Sequence, residues 1–187
     1  MTRLPKILMD GVFLGAFFIL ASLIIAKLDL GHEVELRGPF YAIDGDTLAA
    51  GGERLRLVGI DAPEADQTCG GDGKSQWRCG DAAREALSVF ATDPTISCGG
   101  DARDRYGRIL VQCHRGALDV NAELVKQGMA VAAGNYAGEE SAARDAGTGI
   151  WAGPFETPKA WRASRGRPEE QESGGGRFPA WLADLWS

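Results

Sequence analysis

The sequence predicts a mainly β domain with packed helices, an α+β fold, from three observations. Two stretches read as hairpins: 39–60, turning at Ala49-Ala50-Gly51-Gly52, and 95–114, turning at a long basic tip. Residues 75–91 set Trp77, Ala82, Ala83, Ala86, Leu87 and Phe90 close to a helical stripe, with Pro94 beyond its end. A shorter helix is expected at 119–127, which opens on Asp119 as a cap and stops before Gly128.

Taken in order, the chain begins with a run of apolar and small residues over 11–26, flanked by Arg3 and Lys6 before it and Lys27 after it. A spanning helix needs ~20 residues, so the run reads as a signal sequence or an anchor. Ile24-Ile25-Ala26 is a poor cleavage pattern, which favours an uncleaved signal anchor. The N-terminus is then cytoplasmic and the remainder exported, held at the outer face of the inner membrane, or secreted if the segment is cut. Residues 1–37 are read as stub, anchor and connector, and 38–157 as the domain. The first hairpin begins at 39–43 and returns over 54–60. Residues 65–73 are loop, 95–98 and 109–114 are the arms of the second hairpin, 129–133 is a closing strand, and 141–146 is a further helix packed by Gly149-Ile150-Trp151. Residues 158–187 are a charged and Gly-rich linker with a tail bearing Phe178, Trp181 and Trp186, able to lie on a membrane or dock back.

Chemistry is concentrated in residues 43–64, IDGDTLAAGGERLRLVGIDAPE. Asp46 follows a Gly turn, Arg56 lies within an apolar strand, and Asp61 and Glu64 flank Pro63 at that strand's end. Carboxylates brought together repel unless a cation lies between them, and hard oxygens suit Ca²⁺ or Mg²⁺. A neighbouring guanidinium fork suits phosphate oxygens. Phosphoester chemistry is the expectation, against the plainer reading of a Gly-Gly hairpin with solvated acids at its ends. In a regular strand Arg56 and Asp61 point to opposite faces, so they share a site only if the strand is interrupted near Gly59.

The segments IDGDT, RLRLVGIDAPE and DRYGR resemble, in the same order, the three signature segments of the staphylococcal nuclease (thermonuclease) family. The likeness extends over residues 40–155. It implies a five-stranded OB-type Greek-key barrel with about three packed helices, and Ca²⁺-dependent cleavage of DNA and RNA, with Mg²⁺ and Mn²⁺ as alternative ions. Carried over position by position, Asp46, Asp61 and the carbonyl of Ala62 bind the ion, and Glu64 is the general base. Arg56 and Arg108 hold the scissile phosphate. Arg105, where the family often has Lys, and Tyr106 contact substrate, and Tyr136 falls near a base-stacking tyrosine. Ala62 stands where the family often has Thr, and Gly134 where a second tyrosine is usual.

A net charge of −6 argues against a protein that holds nucleic acid by bulk attraction, so substrate contact must be local. Arg103, Arg105 and Arg108, with Arg56, supply such a patch. The four cysteines allow three pairings, of which the local one, Cys69 with Cys79 and Cys98 with Cys113, is expected in an oxidising compartment. Zinc is the competing reading, but no CxxC pair occurs. The sequence expects a nucleic-acid substrate and membrane contact through the N-terminal segment, and it identifies no protein partner. Replacing Arg56 or Arg108 by Ala is expected to leave folding intact while lowering turnover. The rival to a nuclease is a non-catalytic OB-fold binding or scaffolding module of the cell envelope, linked to exopolysaccharide assembly.

Overall fold

The structure is a computed structural model that describes residues 4–29, 34–70 and 75–167, with side chains of the first helix described over 12–24. The connector around His32, part of the loop between Cys69 and Cys79, and the linker and aromatic tail from 168 onward lie outside the described residues.

The chain divides into two units, Met1–Val34 and Glu35–Ser187. In the first, α1 (Leu4–Asp29) exposes a run of large apolar side chains that includes Phe13, Phe17, Phe18 and Leu20. Among the described residues, no helix is long and apolar enough to cross a membrane.

The second unit has the α+β, OB-type architecture. Its strands are β1 (Val34–Arg37), β2 (Tyr41–Ala42), β3 (Thr47–Ala50), β4 (Glu53–Leu57), β5 (Ile60–Asp61), β6 (Ile96–Arg103), β7 (Ile109–Arg115), β8 (Leu118–Asp119) and β9 (Val131–Ala132). The main sheet runs β1-β6-β7-β4-β3-β2 with β8 on β7, and β5 pairs β9 separately. The expected barrel strands are thus divided into shorter segments, for two visible reasons. Gly59, at φ 76°, separates β4 from β5, and a register shift between Gly99 and Ala102 bends β6. The first hairpin forms as expected, with Thr47 opposite Arg56 and Ala50 opposite Glu53. The second extends further into its basic tip than expected, since Arg103 still pairs with Ile109.

Helices α2 (Cys79–Ala91), α3 (Val120–Lys126), α4 (Ala137–Ala146) and α5 (Pro158–Ser164) complete the unit, with a 3₁₀ turn at Gly149–Ala152. Leu48, Leu55 and Leu57 from the first hairpin meet Leu87 of α2, Ile96 and Val111 of the second hairpin, and Leu124 of α3 in one buried cluster. Asp119 caps α3 by accepting from the Ala122 N–H at 3.1 Å. Asn121 is fully buried and ties α3 to β7 and to the turn that follows β4. Its Oδ1 accepts from the Cys113 N–H (3.1 Å), and its Nδ2 donates to the Val58 carbonyl (2.9 Å).

Two elements depart from the sequence reading. α2 starts at Cys79, not at 75, because Trp77 and Cys69 exchange both backbone hydrogen bonds, at 2.9 and 3.0 Å, and hold 77 extended. Trp77 packs instead on a second apolar cluster built around the Cys69–Cys79 disulfide and Ile150. α4 starts four residues earlier than expected, directly after Tyr136, whose left-handed backbone (φ 66°) turns the chain into it. Both disulfides have the local pairing, Cys69–Cys79 and Cys98–Cys113, and no described cysteine is free, which removes the thiolates a zinc site requires.

Candidate active site

The end of β4 decides which side chains meet. Leu55 and Leu57 enter the core, so Arg56 between them faces the other way, toward the loop that carries Asp46. Gly59 then breaks the alternation, and Asp61 comes round to the face of Arg56. One guanidinium therefore bridges two acids. Its Nη1 is in contact with Asp46 Oδ1 and its Nη2 lies 3.3 Å from Asp61 Oδ1, while the Arg56 side chain is only 10% exposed.

Asp46 is further fixed by two bonds. Its Oδ1 accepts from the Thr47 hydroxyl at 3.2 Å, and its Oδ2 accepts from the backbone N–H of Ala62 at 2.9 Å. The latter draws Ala62 into the site, where its methyl is buried. Burial pushes the Asp46 carboxyl well above the usual carboxylate range, Arg56 pulls it down, and Asp44 and Asp61 push it up. Such a carboxyl gains from added positive charge.

Glu64 lies just outside this buried pair, its side chain 26% exposed. Its position depends on Gln67, which is wholly buried. Gln67 Oε1 accepts from the Glu64 N–H (3.1 Å), and Nε2 donates to the Glu156 carbonyl (2.7 Å). Glycine at 80 is also required here, because a Cβ there would stand 1.9 Å from the Glu64 carbonyl oxygen. The start of α2 can lie against Glu64 only without a side chain.

A third arginine completes the cluster. Arg162, on α5, directs Nη1 to Asp61 Oδ1, Nη2 to Asp61 Oδ2 and Nη1 again to Glu64 Oε1, each at 2.9 Å. Burial works against its charge, but the bonds from Asp61 and Glu64 outweigh that and raise its pKa further. Its Nε is buried without a hydrogen-bond partner. The sequence reading missed this residue and assigned 158–187 to a linker. The available signal was Thr157-Pro158, a cap followed by proline in the first turn, and Thr157 does cap α5 by accepting from the Ala160 N–H at 3.2 Å.

Arg108 approaches from the neighbouring strand. β4 and β7 run parallel with Leu55 opposite Ile109 and Arg56 opposite Leu110. Continued by one residue, this register projects Arg108 onto the face that bears Arg56, one strand away and roughly 8 Å between α-carbons. Arg108 Nε donates to Asp104 Oδ2 at 2.7 Å, and Asp104 Oδ1 accepts from the backbone N–H groups of Tyr106 (2.9 Å) and Arg108 (3.0 Å). Burial opposes the Asp104 charge, but these bonds hold its carboxyl below the usual range. Tyr106 is half exposed, with the guanidiniums of Arg105 and Arg108 5.0 and 5.4 Å from its ring centre. Arg103 is spent elsewhere, on Glu53 at 2.8 Å.

Tyr136 is not displayed as an open stacking face. Its hydroxyl donates to Asp119 Oδ2 (3.0 Å) and accepts from Gln112 Nε2 (3.2 Å), and its ring packs on the core beside Gly59. Burial and the Asp119 charge both raise the phenol above its ordinary pKa.

The three acids Asp46, Asp61 and Glu64 meet three guanidiniums: Arg56 on Asp46 and Asp61, Arg162 on Asp61 and Glu64, and Arg167 at 3.7 Å from Glu64 Oε2. Among the described residues, no three or more His, Cys, Asp or Glu side chains are grouped to hold a metal ion. The donor set nevertheless fits a hard cation. Asp61 and Glu64 already share one cation, the Arg162 guanidinium, and carboxylate and carbonyl oxygens are what Ca²⁺ prefers.

Comparison with known proteins agrees with this geometry. The model of the staphylococcal nuclease homologue family matches residues 54–153. The succinoglycan biosynthesis protein ExoI of Rhizobium meliloti (strain 1021) is 37% identical over 155 residues, covering 79% of this chain and 80% of that protein. An uncharacterized endonuclease of Haemophilus influenzae is 33% identical over 132 residues, 64% of this chain and 68% of its own length. The endonuclease YhcR of Bacillus subtilis (strain 168) is 36% identical over 98 residues, 47% of this chain but 8% of that larger protein. By the match to its family model and the relatives that share most of its length, the chain belongs to the staphylococcal nuclease homologue family.

Proposed function

We propose that the protein is an exported, Ca²⁺-dependent nuclease that hydrolyses phosphodiester bonds of DNA, RNA or both. The observation that carries this reading is the bridging of Asp46 and Asp61 by Arg56, with Glu64 tied to Asp61 through Arg162, in a chain whose relatives include named endonucleases. Asp46 and Asp61, through carboxylate oxygens, and Ala62, through its carbonyl, would hold the ion, all hard oxygen donors of the kind Ca²⁺ prefers. When bound, the ion supplies positive charge opposite the phosphate oxygens. Glu64 accepts the proton of the attacking water as the water oxygen bonds to phosphorus and the opposite P–O bond breaks, the leaving sugar oxygen taking a proton from solvent. Arg56 donates to the non-bridging oxygens, and Arg108, exchanging Asp104 for the phosphate, does the same. Arg105, Tyr106 and Tyr136 contact the substrate.

Two disulfides fit an oxidising, extracytoplasmic compartment. The exposed phenylalanines of α1 support association with a lipid surface at the N-terminus. A second reading, a non-catalytic envelope module linked to exopolysaccharide assembly, is favoured by the succinoglycan biosynthesis relative. The two separate in one assay of the full chain on single-stranded DNA and on RNA. The nuclease reading expects acid-soluble nucleotides with Ca²⁺, fewer with Mg²⁺ or Mn²⁺, and none with chelator. No release with any ion overturns it in favour of the second.

A further inference from the structure

We propose that Arg162 is a positioning residue for this reaction, fixing the ion-binding Asp61 and the basic Glu64 in one arrangement from a helix beyond the matched residues 54–153. The inference rests on the nuclease reading and adds a residue to it.

The geometry is that of a fork rather than a point charge. Two parallel bonds of 2.9 Å fix the plane of the Asp61 carboxylate, and a third of 2.9 Å from the shared Nη1 sets Glu64 against it. Neither acid can rotate without breaking a bond to a guanidinium that is itself 6% exposed. Ligation remains open to Asp61. Its Oδ1 accepts from both Arg162 and Arg56 and its Oδ2 from Arg162, and a carboxylate with ~4 lone-pair sites can take an ion beside these bonds.

α5 does not depend on Arg162 for its place. Gln67 Nε2 holds the Glu156 carbonyl (2.7 Å) just before it, Trp161 is buried with its Nε1 3.4 Å from Asp66, and Arg167 makes a paired contact with Asp66 at 2.7 and 3.0 Å. These contacts all reach the loop that carries Asp61 and Glu64. The helix is thus anchored on both sides of Arg162.

The test uses the full chain and its Arg162→Ala and Arg162→Lys variants, with Ca²⁺ affinity read by calorimetry and kcat and KM read on single-stranded DNA. Removing groups that orient metal ligands costs ~10–100-fold in affinity or activity. Arg162→Ala is expected to lose that much in Ca²⁺ affinity, in kcat at saturating Ca²⁺, or in both, with KM for DNA within about threefold and the melting transition retained. Lys, able to meet one acid at a time, should restore only part. If the Ala variant does not fold, the Lys variant carries the test and must still be about tenfold impaired. Tighter Ca²⁺ binding or faster turnover on removing Arg162 would overturn the proposal by showing a plug that leaves when the ion enters. Unchanged constants, full activity in the Lys variant, or a rise in KM alone would overturn it too. If the parent binds Ca²⁺ and cuts, such results overturn this inference only. A parent that neither binds Ca²⁺ nor cuts overturns the nuclease reading and this one with it.

Discussion

Replacing Arg56 by Ala should slow hydrolysis of single-stranded DNA by ~10²–10³, the loss seen when one preorganised donor to a developing oxyanion is removed. The same change should also destabilise the protein, which corrects the expectation that folding would be untouched. Arg56 is the buried bridge between Asp46 and Asp61, and the Asp46 carboxylate otherwise accepts from the Thr47 hydroxyl and the Ala62 N–H. Leaving a buried charge without its partner costs ~3–5 kcal/mol. In chelator the variant should therefore melt well below the parent, and Ca²⁺ should recover part of the difference by taking up the charge that Arg56 held. Arg108→Ala lacks this second penalty, because Asp104 is also satisfied by two backbone N–H groups. Parental digestion rates, or a melting temperature that ignores Arg56, would remove Arg56 from the mechanism.

Glu64→Gln should be as damaging to turnover and nearly silent for the fold. General-base catalysis contributes ~10²–10⁴, and an amide cannot take the proton of the attacking water. The amide oxygen can still accept from Arg162 Nη1, and the Gln67 bond goes to the backbone of residue 64, so neither anchor is lost. The expected result is a fall of that size in kcat with KM and melting temperature near those of the parent. Turnover within severalfold of the parent would assign the base to another group.

What could be read in advance follows from how local each signal is. The Gly59 interruption was legible because Arg56 and Asp61, an odd number apart, could share a face in no other way. The disulfides were legible because each pair brackets a single loop. Trp77 was misplaced in a helix because its spacing to Ala83 and Leu87 is helical, while the backbone bridge to Cys69 that keeps it extended leaves no periodic trace. Tyr136 was matched to a stacking role by its neighbours in sequence, yet Asp119 and Gln112, which bind its hydroxyl, come from other elements. Arg162 was the largest omission. It lies in a charged stretch without periodicity, and long-range contacts at Gln67 and Asp66 give the seven-residue α5 its place. An arginine whose partners are about a hundred residues away in sequence has no local signature.

The central claim is that a single pocket takes a divalent ion on its acids and a phosphate on its arginines. If so, each ligand must strengthen the other, since linkage is reciprocal. Calorimetric titration of Ca²⁺ into the full chain, with and without a saturating 5′-phosphorylated dinucleotide, measures this directly. The account predicts Ca²⁺ binding tighter by ~5–150-fold with the nucleotide present, and the same factor in the reverse titration. Ca²⁺ affinity that does not change when the nucleotide is bound would contradict it.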